Sequence, residues 1–229
     1  YLHALGAYYA GELGQAGDRL AALAQSARGA LLAAVLSGQG LVAHRRGDLA
    51  QARVRYAQAE ALAQAIGDHP RALNMAMNVA VADHEAGDLG AAWAGYGRVV
   101  AAAASAGNAG AAARARNNRG NLLATLGLDR AAGEDLAAAL AFWTEAGNGH
   151  LLGNARCVLG EIARRQGELA IAHDHLAAAD EALQTAGAAN ERAEIQLERG
   201  YLALLQGDAK LASELAEAVR AAAVRQSSG

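Results

Sequence analysis

The decisive stretch is "HRRGDLAQA", His44 to Ala52, because it keeps coming back. His84 to Ala92 reads "HEAGDLGAA", Arg164 to Ala172 "RRQGELAIA", and Leu204 to Ala212 "LLQGDAKLA". In each, the Gly can take the left-handed conformation that ends a helix. The Asp or Glu that follows can cap the next helix or favour its start electrostatically. Each copy therefore predicts a tight turn between two helices.

Outward from that turn, Gly47, Gly87, Gly127, Gly167 and Gly207 recur at a spacing of forty residues. A second series, Gly67, Gly107, Gly147 and Gly187, falls midway, with "AIGDHPRA" placing Asp68 as a cap and Pro70 in a first helical turn. A third column of small residues, Gly40, Ala80, Gly120, Gly160 and Gly200, lies inside helices. Gly there weakens a helix by about 1 kcal/mol relative to Ala, so a neighbouring helix must cross too closely for a larger side chain. Three columns in register mark a repeat protein. The expected helix pairs are 30–46 with 48–66, 70–86 with 88–106, 110–126 with 128–146, 150–166 with 168–186, and 190–206 with 208–225. Upstream, "LGQAGDRLAALAQSARG" is read as a further, shorter pair turning at Gly17.

Composition agrees. The 229 residues are 53% hydrophobic, mostly through Ala, with one Phe, two Trp and one Pro. Ala buries little area per residue, so thin, closely packed helices suit this chain better than one thick core. The net charge of -3 gives no general attraction for polyanions, so direct nucleic-acid binding is not expected. One cysteine, Cys157, rules out an internal disulfide. No apolar run reaches the ~20 residues of a membrane span, no signal peptide opens the chain, and the expected location is cytoplasmic. Lys210 is the only Lys, a bias read as that of a GC-rich genome. The chain starts at Tyr1 and not Met, and is expected to be a fragment of a longer protein.

These columns resemble the tetratricopeptide (TPR) repeat. Its order of small residue, turn Gly, hydrophobic and three packing positions is met by Gly40, Gly47, Leu49, Ala52, Tyr56 and Ala59, and by Gly160, Gly167, Leu169, Ala172, Leu176 and Ala179. The family's early aromatic and closing Pro are missing, and the last pair departs with Ala216 and Val219. The period exceeds the commoner 34 residues; the long form is similar to kinesin light chains and to the helical sensor arms of large bacterial transcription regulators. The resemblance implies an all-α, right-handed α-solenoid of about five to six helix-turn-helix repeats, near 1–29, 30–69, 70–109, 110–149, 150–189 and 190–229. It forms one domain over 1–229 that binds a protein or an extended peptide.

In such solenoids the first helix of each pair lines the concave surface. The inward sites are then Asn74, Met77, Val81, His84 and Glu85 in one repeat, Arg114, Asn117, Asn121, Ala124 and Thr125 in the next, and Asn154, Cys157, Glu161, Arg164 and Arg165 in the third. The flanking repeats are blander, with Ser37, Leu41 and His44 in one and Leu197, Tyr201 and Leu204 in the other. A primary amide offers donor and acceptor together, so Asn74, Asn117, Asn121 and Asn154 can hold a peptide backbone whatever its sequence. Related bacterial peptide-pheromone receptors resemble this in using Asn ladders. Arg114 and Arg164 suit an acidic side chain of the ligand, or offset Glu161. The same amides can equally bond neighbouring helices, which is the reading given to Asn78 and Asn118.

Other chemistry is thin. His44 and His84 share one inward register and, with Glu85, make a weak metal pair. Cys157 lacks an arranged base and reads as a packed thiol. Trp93, Trp143, Tyr56 and Tyr96 fall on second helices and are expected to pack between repeats. No phosphate loop or zinc spacing occurs, and no cofactor, metal or catalytic residue is expected. The leading reading is a non-enzymatic binding module, acting as sensor or scaffold in a bacterial regulatory protein. A structural arm, self-associating through convex face or solenoid ends, stands beside it, and an enzyme using Cys157 or a His44/His84 metal stands remotely behind. The end "AVRAAAVRQSSG" caps a solenoid poorly, so sequence continuing past Gly229, or a second copy, is expected to cover it.

Overall fold

The structure, a computed structural model, describes residues 1–227 and among them shows twelve helices and no strand. They are α1 Leu2–Tyr9, α2 Leu13–Ser26, α3 Gly29–Arg45, α4 Leu49–Ala65, α5 His69–Glu85 and α6 Leu89–Ser105. There follow α7 Ala109–Thr125, α8 Asp129–Ala146, α9 Gly149–Arg165, α10 Leu169–Thr185, α11 Ala189–Leu205 and α12 Ala209–Ser227. The fold is an all-α helical-repeat solenoid, built from hairpins of a first helix (α3, α5, α7, α9, α11) and a second. The expectation for the extreme terminus, Ser228 and Gly229, lies outside the described residues.

The turns form as their chemistry dictates. Every Gly of the two turn series has positive φ, from 65° at Gly147 to 83° at Gly207. At the first of them Gly47 donates to the His44 carbonyl and Asp48 to the Ala43 carbonyl, closing the last turn of α3. The next helix then starts on a side-chain cap: Asp48, Asp68, Asp88, Asn108, Asn148 and Asp208 each accept from the amide three residues on. Glu168 makes no such bond.

One turn lies elsewhere than expected. The first hairpin turns at Gly11, with φ 81°, and Gly17 sits inside α2. The signal was present: Gly11, Glu12, Leu13, Ala16 and Leu20 repeat the pattern of Gly167, Glu168, Leu169, Ala172 and Leu176. Gly17 drew the earlier reading through its own following Asp18; in the fold it gives room to the Arg46 guanidinium, 3.3 Å from where its Cβ would stand.

The chain forms two compact units, dividing inside α7 after Arg119. In the first, Ala52, Tyr56 and Ala59 of α4 pack with Ala43 of α3 and with Met75 and Val79 of α5. In the second, Ala172, Leu176, Ala179 and Leu183 of α10 pack with Ala163 of α9 and Ile195 and Leu202 of α11. Each second helix thus seals its own hairpin and seats the next. The internal column follows from this packing except at Gly200, where a Cβ would meet nothing nearer than 3.7 Å. A Cβ at Gly40 would stand 2.5 Å from the Tyr56 ring, one at Gly120 2.7 Å from Leu136, and one at Gly160 2.9 Å from Leu176. At Ala80 the space comes from the partner helix, where a Cβ on Gly95 would meet that of Ala80 at 2.8 Å.

Ionic clasps between hairpins were not foreseen. Arg53 of α4 reaches the buried Asp83 of α5 at 2.6 Å. Asp180 of α10 holds both Arg192 (2.6 Å) and Arg199 (3.1 Å) of α11.

Candidate functional site

The candidate surface in each unit is the solvent-facing stripe of its first helices. In the first unit, Asn74 of α5 is exposed and its Oδ1 accepts from Arg114 of α7 at 2.8 Å. Two sites chosen from the sequence therefore meet side by side. His44 of α3 faces Glu85 of α5 at 2.7 Å, so Glu85 belongs to a hydrogen-bonded contact between hairpins. His84 is half-buried, its Nδ1 3.4 Å from the Tyr96 hydroxyl and its ring edge-on to Tyr96 at 6.2 Å. His44 repeats that arrangement with Tyr56. Burial pushes both tyrosine hydroxyls up from the ordinary phenol range, so they stay protonated and can donate to imidazole. Each His is thus oriented by its own hairpin, and among the described residues no group of three His, Cys, Asp or Glu could hold a metal ion.

Asn117 requires a correction. The sequence places it on the open face, but it is 2% exposed; the helices packed around it enclose the amide, and it has polar contacts there. Asn118 Nδ2 reaches back to Met77 Sδ at 3.7 Å, as its register implied. Met77, counted among inward sites, is buried.

In the second unit, Asn121 Nδ2 donates to Asn154 Oδ1 of α9 at 3.2 Å. Asn121 Oδ1 is shielded from solvent and has no hydrogen-bond partner in the protein. Next along α9, Glu161 stands 3.9 Å from the Cys157 sulfur. Burial, and then the nearby Glu198, raise the Glu161 carboxyl. Arg164 approaches Glu198 of α11 at 3.6 Å and lies over the Tyr201 ring at 5.0 Å. Arg165 turns aside to Asp129 and the Ala124 carbonyl. The stripe ends on α11 as apolar surface: Leu197, Tyr201 and Leu204 are 53%, 50% and 57% exposed. Sequence reasoning called this repeat bland, yet four-residue and three-residue spacing of large apolar side chains was a legible signal.

The surroundings of Cys157 disfavour its thiolate. Burial foremost, then Glu161, Glu198 and Glu194, push its thiol up to about 12, whereas a reactive thiolate needs an electropositive setting. Of the aromatics, Tyr56, Tyr96 and Trp143 are buried as expected, but Trp93 is 54% exposed on α6. It faces away from the hairpin seam, where Ala92 and Tyr96 do the packing. No described helix is long and apolar enough to cross a membrane.

No protein-family profile matches the sequence, and no curated protein sequence is similar to it. Solved structures are. BtubC from P. vanneervenii superposes with a TM-score of 0.77 at 16% identity, over 95% of this chain and 90% of that one. The apo form of RapI gives 0.78 at 11% identity, over 100% and 98%. A Rap protein complexed with Competence and Sporulation Factor gives 0.78 at 12% identity, over 92% of this chain and 59% of that one. At such identities the likeness shows the fold, that of TPR-type repeat proteins.

Proposed function

We propose that this TPR-type array is a non-catalytic module that binds a protein partner, or an extended peptide of one, on the stripe of its first helices. The observation that carries the reading is the pairing of unlike surfaces on one stripe of the second unit. Asn121 and Asn154 offer paired amide groups, of which Asn154 is exposed on α9. On α11 of the same unit Leu197, Tyr201 and Leu204 offer exposed apolar area. Backbone N–H groups of a ligand suit the first, and apolar ligand side chains the second. That a Rap protein of the same fold has been solved with Competence and Sporulation Factor supports a ligand-binding role. Service as sensor or scaffold in a bacterial regulatory protein fits the same comparison. Glu161 and Arg164 add charged positions to the second unit's stripe, and in the first unit Asn74, His84 and Arg114 form a candidate surface of its own.

Panning a random peptide library on the intact chain, then measuring selected peptides by fluorescence anisotropy, tests the proposal. Enriched peptides should bind Asn121→Ala/Asn154→Ala and Leu197→Ser/Tyr201→Ser variants about tenfold or more weakly, as loss of one to two net hydrogen bonds or of apolar contact requires. Peptides that bind both variants as tightly as the parent, with native circular dichroism, would overturn it. Trp93, exposed on a second helix, favours one competing reading, in which a partner docks on that opposite surface.

A further inference from the structure

A cleft of about 340 Å3 opens on the other side of the first unit, between α4 and α6 with α5 as its floor. Its floor and inner walls are Ala72, Leu73, Ala76 and Val99, and its rim carries Glu60, His69 and Arg98. Small residues create it. Ala72, Ala76 and Ala102 stand where the preceding repeat has Leu32, Leu36 and Leu62, and the following repeat has Arg116 and Phe142 at the last two positions. The cleft therefore belongs to one repeat and not to the architecture. Its volume falls at the lower end of the ~300–1,000 Å3 range of small-molecule sites.

The rim selects the ligand's charge. Glu60 comes from α4 and Arg98 from α6, close enough for Arg98 to lower a carboxyl that burial raises. Among the described residues neither is engaged by the other in an ion pair; Glu60 accepts only from Gln64, at 3.2 Å. A plain hydrocarbon filling the cleft would further desolvate Glu60 without a partner, which is unfavourable. A simple anion would face Glu60, and a simple cation would face Arg98. A molecule with both charges and an apolar body satisfies both sides.

We propose that this cleft binds a free α-amino acid with a branched or aromatic side chain. The ammonium group meets the Glu60 carboxylate, the carboxylate meets Arg98 and His69, and the side chain lies on Ala72, Leu73 and Ala76. Nothing in this depends on the stripe of the first helices, so either proposal can fail alone.

Isothermal titration of the intact chain with L-leucine and L-phenylalanine is the test. One-to-one saturable binding is expected, with L-leucinamide and 4-methylpentanoate, each lacking one charge, at least about tenfold weaker. Glu60→Gln and Arg98→Gln should each weaken leucine binding about tenfold. Ala76→Leu should abolish it, and should fold, because it installs the residue found at Leu36 in the neighbouring repeat. Absence of saturable binding of either amino acid would overturn the proposal. So would binding that survives Ala76→Leu, or leucinamide binding as tightly as leucine.

Discussion

A methyl group added at Gly40 would fall 2.5 Å from the Tyr56 ring, and that single distance sets the sign of a substitution. In a free helix Gly→Ala gains roughly 0.5–1 kcal/mol. At Gly40 the overlap should win, and Gly40→Ala should lower stability in urea titration by about 1–3 kcal/mol. Gly133 has nothing within 4 Å of its would-be Cβ, so Gly133→Ala should stabilise by the helix gain alone. Ala80 and Gly95 allow a stricter check. Gly95→Ala should destabilise through the 2.8 Å approach to the Ala80 Cβ, and adding Ala80→Gly should recover much of the loss. The Cys157 thiol behaves alike at the chemical level. Its folded value, about 12, lies above the ordinary one, so folding favours the protonated form. That contribution is present at neutral pH and is lost as pH climbs toward 12. Cys157→Ala should therefore lose less stability than the parent between about pH 8 and 10.5. Iodoacetamide should alkylate Cys157 at pH 8 at least about tenfold more slowly than free cysteine; equal rates would revive a catalytic thiol.

At the scale of elements, helices were legible because their punctuation is local. A Gly in the left-handed region, followed at most turns by an Asp or Asn that caps the next helix, defines these boundaries without tertiary help. What was illegible depends on the neighbour. Asn117 and Asn154 are both Asn that the sequence assigns to the inward face of a first helix, yet one is buried and the other exposed. Trp93 looked like packing because aromatics usually are, and only the seam formed by Ala92 and Tyr96 shows that it is not. The clasp of Asp180 on Arg192 and Arg199 joins residues far apart in sequence, and no repeat column announces it. Its consequence is measurable. Asp180→Ala leaves two guanidinium groups without their shared acceptor and should cost about 1–3 kcal/mol. Hydrogen exchange should rise in α11 and α12 before it rises in α9 and α10, since stability in repeat arrays is carried by interfaces between neighbours. Uniform exchange would contradict a local role.

For the whole molecule, the fold class follows from period and packing, and the proposed binding role rests on surface. The Ala-rich hairpins of each unit bury mostly small side chains and leave amide, charged and apolar groups exposed on the first helices. Among the described residues burial and neighbouring carboxylates disfavour the Cys157 thiolate, and His44 and His84 each lie against a Tyr of their own hairpin. The central claim is that the outward stripe of the first helices is where a partner binds. Affinity capture from lysate of the source cell, read by mass spectrometry, tests it with three proteins of verified helicity. They are the parent, a stripe variant (Asn74→Ala/Asn121→Ala/Asn154→Ala/Tyr201→Ser), and an opposite-face variant, Trp93→Ser. The account predicts a partner retained by the parent and by Trp93→Ser but lost from the stripe variant. A partner retained by the stripe variant and lost from Trp93→Ser would contradict it and move function to the second helices.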